Sequence, residues 1–492
     1  MTMQCFQVSR TLLSLAIAFT LVGCTVGPHY QRPVVDMPST YSDAPQIEST
    51  DISASINTSA DQPAIPANWW MLYGDTTLDE LVAAVLKNNA DIHKAIALID
   101  ESEARLVEIG ANILPEINLG ASSGRSRSST LTAQPFPPGT PAVTTSHRLA
   151  LSTSFELDLW GKLRRASEAA RADVLSTRYA KDVTVLTLAG TATQVYFMLR
   201  ALDAQITIAK ATLTSREDAL TVVTSRTNGG LASSLEMNQA QGARADVSLQ
   251  LRDLQRQRAL LEHQLGSLTG NLSLTIAAGD LMNLPVPALP PVGLPSTLLE
   301  RRPDVQQAEQ RMVATNAQIG VTRAAQLPTF SLTGNFGGQS ADLVDLLKDG
   351  ARIWSLGLAA ALPIIDAGKY AARTRQAEAR QRQSVANYQK TVEAAFREVA
   401  DALTNVHQTN AALADLQIKV DAAHNALRLS RLRYEAGYSG YLDVLDSQRT
   451  AHETEQAFVQ NRQAQLAYSV DLMKALGGGW SLAEPFLPTA QH

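Results

Sequence analysis

The chain has 492 residues, of which 18% are charged and 5% aromatic, with a formal net charge of −5. That balance suits long helices packed by small residues; it excludes a large aromatic core and the basic face of a nucleic-acid binder. The only two cysteines, Cys5 and Cys24, leave no disulfide framework in a mature form that has lost its leader.

Arg10 precedes an apolar run from Thr11 to Val22, too short to span a bilayer, which closes in Leu21-Val22-Gly23-Cys24. This end resembles a bacterial lipobox, which implies a signal peptide over 1–23 and a covalent lipid on Cys24. Thr25 in the next position resembles an outer-membrane sorting signal. Residues 24–68 are rich in Pro, Ser, Thr and Asp with no apolar period, and read as a lipidated, extended arm.

The first repeat occupies 69–295. Trp69-Trp70 opens ordered structure, Asp75 offers an N-cap, and a helix of about 33 residues follows to near Gly110. Leu114-Pro115 stops it. The period then changes to two, through Ile117, Leu119 and Ala121 and again through Leu149, Leu151, Thr153, Phe155 and Leu157, with a polar stretch from Arg125 to Ser146 between them. A β-hairpin over 115–158 with this alternation fits a membrane hairpin or a soluble one. A long helix is expected over 162–228, with the seam Val185, Leu188, Ala192, Val195, Leu199, Leu202, Ile206, Ala209, Leu213. Gly229-Gly230 breaks it, and a helix returns over 234–268.

The second repeat, 296–476, restates this order. Asn89-Ala90-Asp91-Ile92 is echoed by Arg302-Pro303-Asp304-Val305, and Ala111 to Leu119 by Ala324 to Leu332. A hairpin over 328–363 follows, its loop from Gly337 to Arg352. Gly161-Lys162 is echoed by Gly368-Lys369, and the helical seams superpose at an offset of about 207 residues. The second long helix, 369–436, holds its three-four alternation from Val392 through Leu427. Near 1.5 Å per residue it is about 100 Å long. It turns at Ala436-Gly437-Tyr438 into a helix over 441–476, with a tail over 477–492.

Four amphipathic strands are too few to close a membrane barrel, which needs about eight or more. Copies must therefore pool their hairpins; two would give eight strands and three would give twelve. Nucleotide, zinc-protease, hydrolase and CxxC motifs are all absent, so no enzyme chemistry and no metal or cofactor is expected. Asp443 and Asp446 share one face of the helix after the second turn, where they either compensate the helix dipole or serve a function.

Several stretches carry a resemblance. They are Cys24-Thr25-Val26-Gly27-Pro28 with Tyr30 and Arg32-Pro33, Trp69-Trp70 with Gly74-Asp75, Glu300-Arg301-Arg302-Pro303-Asp304-Val305, Phe396 to Leu403, and Arg433-Tyr434, Gly437 and Leu442 to Asp446. Across its whole length the chain resembles the TolC-like outer-membrane factor family, in its NodT-type efflux lipoprotein branch. The resemblance implies a mainly α fold with membrane β: a TolC-like α/β-barrel, internally duplicated and closed as a homotrimer of twelve strands and twelve helices. It implies a passive export duct for drugs or toxic small molecules in a tripartite efflux system, served by a periplasmic adaptor and a proton-driven inner-membrane pump. It assigns Asp443, Asp446 and Tyr434 to a periplasmic gate. It assigns the turns Gly229-Gly230-Leu231 and Ala436-Gly437-Tyr438 to adaptor docking. Ser439 stands where some members carry a latch arginine. The alternatives are a duct for secreted polypeptides and, in another class, a periplasmic coiled-coil adaptor lipoprotein without a pore.

Overall fold

The computed structural model describes residues 25–36, 38, 65–129, 141–288 and 301–479. Cys24, the leader, most of the arm and nearly all of the tail lie outside the described residues. The chain divides into two compact units. One holds Met1–Val34, Leu98–Thr177 and Ala308–Tyr388; the other holds Val35–Ala97, Arg178–Gln307 and Gln389–His492.

The first unit is built on a four-stranded antiparallel meander, β1 (Glu116–Arg127), β2 (Val143–Leu157), β3 (Thr329–Ser340) and β4 (Arg352–Ala361), in that spatial order. Ser, Thr and Arg at the hairpin ends pair in register, so the strands run deeper than the alternation of apolar residues predicts. Arg127 lies opposite Val143, and β3 continues to Ser340, where the pattern places loop. Leu119 pairs with Leu151, Leu151 with Phe336, and Phe336 with Trp354. One face of the sheet therefore collects Ile117, Leu119, Leu151, Leu332, Phe336, Trp354, Leu356 and Leu358, all of them exposed. The other collects Asn118, Ser152, Asn335 and Ser355.

The arm is pinned in this unit. Val26 N–H donates to Trp160 O at 3.1 Å, and Asn316 Nδ2 donates to Pro28 O at 3.0 Å. Tyr30 and Arg32 both donate to the Glu309 carboxylate, at 3.0 and 2.8 Å. Gly27 lies against Gly320 so closely that a Cβ would stand 2.6 Å from the Gly320 Cα.

Helices α1 (Thr76–Asn88), α2 (Ala90–Ala111), α3 (Lys162–Asn228), α4 (Ser234–Thr269), α5 (Pro303–Ala324), α6 (Lys369–Glu435) and α7 (Tyr441–Ala475) complete the described fold. The helix expected to run unbroken to Gly110 is two helices. Asn89 is extended, with ψ 131. Its side chain accepts from Asp91 N–H at 2.9 Å and donates to Leu268 O at 2.9 Å, so it starts α2 as a cap while holding α4. Arg302, its counterpart in the second repeat, is the non-helical residue before Pro303.

Both long helices span 67 residues. They start alike. Asp158 caps Leu163 and Arg164 N–H, and Asp366 caps Gly368 and Tyr370 N–H, all at about 2.9–3.0 Å. The core of the second unit packs Trp69, Tyr73, Leu78, Val82 and Val85 against Ala192, Tyr196, Leu199, Leu265, Leu281, Leu466 and Val470. The heptad seam of α6 is shielded throughout, from fully buried Val392, Ala395 and Val399 to half-buried Leu413, Val420 and Leu427.

Candidate functional site

The two turns that follow α3 and α6 have one geometry. Leu231 N–H reaches back to Arg226 O at 2.8 Å and Gly230 N–H to Thr227 O at 3.0 Å. Tyr438 N–H reaches Arg433 O at 2.8 Å and Gly437 N–H reaches Tyr434 O at 3.0 Å. These are paired Schellman closures, and they need a left-handed residue, supplied by Gly230 (φ 72) and Gly437 (φ 80). Each turn leaves a large apolar residue at its crown, Leu231 at 76% exposure and Tyr438 at 79%. Ser233 caps α4 through Glu236 N–H.

Just inside the turns, Tyr434, Tyr441, Val444, Val223 and Ala240 form a small buried cluster. The two tyrosine rings stand 5.4 Å apart, and the Arg226 guanidinium lies over the Tyr434 ring at 4.9 Å. Burial, with Glu236 nearby, raises the Tyr434 phenol above its ordinary value against the pull of Arg226. Tyr434 thus packs on the inward side of α7. Asp443 and Asp446 lie on the exposed side of its first turns. The three residues assigned to the gate share a tip without sharing a contact surface. Asp446 pairs with Arg449 at 2.7 Å, both about two-thirds exposed, so the pair adds little stability.

Two tip residues escaped the sequence reading. Arg216 of α3, only 6% exposed, reaches the side chain of Gln448 on α7. Arg431 of α6 donates to Ser215 Oγ of α3 at 2.6 Å. These two bonds join the first helical hairpin to the second. Desolvation lowers the Arg216 pKa, although the nearby Tyr441 favours its charge. Arg216 was findable: continuing the seam past Leu213 by three, four and three residues gives Arg216, Leu220 and Val223, and its partner at offset 207 is Ala423. A buried arginine in a seam is a flag. Beside it lies a groove of about 540 Å³, lined by Arg216, Asp246, Gln250, Asp446, Arg449 and His452.

Two motifs farther along the chain turn out to be one site. Arg302 Nε and Nη2 grip Asp304 at 3.0 and 2.7 Å, Nη2 also meets Glu398 at 2.7 Å, and Nη1 donates to Ala475 O at 3.1 Å. Burial opposes the charge, but the two carboxylates outweigh it and raise the Arg302 pKa. Arg302 therefore ties α5, α6 and α7 together.

At the sheet, both hairpin loops lie at the end opposite Glu116, Leu157, Thr329 and Ala361, where the strands meet the helices. An exposed apolar face, a polar face and two edges, β1 and β4, unpaired among the described residues, are the marks of a barrel segment rather than a soluble sheet. The outer membrane efflux protein family matches the chain twice, over residues 81–271 and 294–478. The chain belongs to the outer membrane efflux protein family. The probable efflux pump outer membrane protein SepC of Pseudomonas putida is 32% identical over 486 residues, covering 98% of this chain and 99% of that protein. The cation efflux system protein CusC of Escherichia coli is 31% identical, covering 95% and 98%. Among solved structures, CusC superposes with a TM-score of 0.81 at 29% identity, covering 92% of this chain and all of that one. A membrane protein from Pseudomonas aeruginosa gives 0.83 at 31%, covering 93% and 98%. The fold is therefore that of the TolC-like channels. The protein is an outer-membrane channel component of a tripartite efflux system, with a periplasmic extension. The pore-less adaptor and the polypeptide-secretion duct give way to this assignment.

Proposed function

We propose that three copies close one barrel of twelve strands and one helical tunnel, through which toxic small molecules leave passively and without catalysis. The observation that carries this is the four-stranded sheet, apolar on one face and polar on the other, with free edges that only further copies can pair in lipid. Relatives are named for toluene, antibiotic and cation efflux, so cargo choice is assigned to the partner pump and the duct itself is permissive. The pump is proton-driven, and a periplasmic adaptor docks on the turns at Gly229-Gly230-Leu231 and Ala436-Gly437-Tyr438. Cys24 carries the lipid anchor, as its lipobox-like setting suggests.

The gate is the tip of the helical hairpins. Three Asp443 and three Asp446 carboxylates gather there and attract cations. Purified trimer in a planar bilayer tests this. The wild type should conduct with cation preference, and Asp443→Ala/Asp446→Ala should raise conductance and weaken that preference. An unchanged current sinks the gate assignment. In cells labelled with palmitate, the wild-type protein should carry the label and Cys24→Ser should lose it.

A further inference from the structure

We propose that the outward face of the sheet, at the end bearing the hairpin loops, docks the phosphate groups of outer-leaflet lipids. This rests on the reading of the sheet as membrane-spanning. Strand register sorts the charges. Arg125 and Arg127 lie in the row of Ile117 and Leu119, His147 in the row of Leu149 and Leu151, and Arg352 in the row of Trp354 and Leu356. All three arginines and the histidine therefore share the apolar face, and all four sit at its loop end. That face carries no carboxylate anywhere in the strands. Among the described residues the only strand carboxylates, Glu116 and Glu156, belong to the polar face at the opposite end. Among the described residues Arg148 is the only strand arginine on the polar face.

Strands about 4.8 Å apart, rising about 3.4 Å per residue, place the four basic residues in a patch of roughly 14 by 20 Å. The whole of β1 is exposed, Arg352 keeps 71% of its side chain in contact with solvent, and Trp354 beside it is 78% exposed. His147 accepts or donates to Ser123 Oγ at 2.9 Å. Arg352 pairs with Asp349 at 2.8 Å, and Lys348 pairs with Asp345 in the same loop. A lipid phosphate competes for Arg352 and meets Arg125 and Arg127 directly. A cationic row above an apolar band with a tryptophan at its border matches the division between acyl chains and phosphorylated head groups. Among the described residues the strands carry no Lys, Arg or His at the helix-side end; Leu362, Ile364 and Ile365 stand exposed there, and the nearest cations, Lys162 and Lys369, belong to the helix starts. The basic row therefore distinguishes the two leaflets.

Detergent-purified trimer titrated with diphosphoryl lipid A, and separately with the same lipid stripped of phosphate, tests the site by native mass spectrometry. Wild type should bind the phosphorylated form about tenfold more tightly. Arg125→Gln/Arg127→Gln/Arg352→Gln should erase that difference, and Arg148→Gln, on the polar face, should keep it. Millimolar inorganic phosphate should not compete. Equal binding of both lipids, an unaffected triple variant, an equal loss in Arg148→Gln, or full competition by free phosphate each overturns the proposal. Because Arg125, Arg127 and Arg352 are exposed and Arg148 is only half-buried, all variants should run as the same heat-sensitive trimer. A wild-type trimer that conducts ions but ignores lipid phosphate refutes this site alone; one that never enters a bilayer refutes the channel reading beneath it.

Discussion

Tyr434 buries its ring against Tyr441 and Val444, with Arg226 across its face, while its hydroxyl forms no hydrogen bond in the protomer. The ring, not the hydroxyl, therefore supplies its contribution inside the protomer. Tyr434→Ala should open a cavity and cost about 3 kcal/mol locally, seen as faster amide exchange at the start of α7 and as higher resting conductance. Tyr434→Phe should stay within about 1 kcal/mol of wild type, because it removes a buried hydroxyl with no partner to lose. If Phe opens the channel as far as Ala, the hydroxyl is a latch to a neighbouring protomer and the packing argument fails. Asp443 and Asp446 were recognisable as a pair from their three-residue spacing. Their separation from Tyr434 was not, because helix phase alone does not say which side of α7 meets α3 and α4.

At the scale of elements, the turn between α6 and α7 has two glycines with opposite requirements. Gly437 stands at φ 80 and Gly440 at φ −76, ψ 163, with open space around both. Gly437→Ala should destabilise the tip by about 1 kcal/mol, since an L side chain resists the left-handed region. Gly440→Asp should stabilise it by about 0.5–1 kcal/mol, because Gly440 is an N-cap with no side chain to accept from the first helical N–H groups. Thermal melting of the helical signal should separate the two variants in sign. Turns and helix ends of this kind were legible in the sequence, since glycine after an unbroken heptad run has few readings. The break at Asn89 was not. It depends on a bond to Leu268 O, a partner 179 residues away that no local pattern announces. The hairpin ends were missed for a related reason: Ser122 to Arg127 pair with Val143 to Arg148 through backbone groups, and polar side chains carry no alternation to reveal it.

On the scale of the whole molecule, duplication and membrane insertion depend on each other. Neither hairpin alone offers a closed sheet, and even their union leaves β1 and β4 with unpaired backbone groups that lipid does not tolerate. Closure in the proposed trimer would assign the apolar face to lipid and the polar face to the lumen, which makes adjacent residues unlike in consequence. Leu119 is 69% exposed on the apolar face; Asn118, its neighbour, lies on the polar face opposite Ser152. Leu119→Arg should cost about 1–3 kcal/mol, since it lies on the lipid face between the interface and the bilayer midplane, so the heat-sensitive trimer band should weaken or vanish. Asn118→Arg should leave the trimer intact, since an arginine there stays in water, and should shift the reversal potential toward anions by adding three positive charges to the pore. Semi-native gels and bilayer recordings of the two variants decide the matter together. If both assemble and neither changes selectivity, the sheet faces neither lipid nor lumen as assigned. If the penalties are exchanged, the faces are inverted, and Arg125 and Arg127 would line the channel mouth instead of meeting lipid.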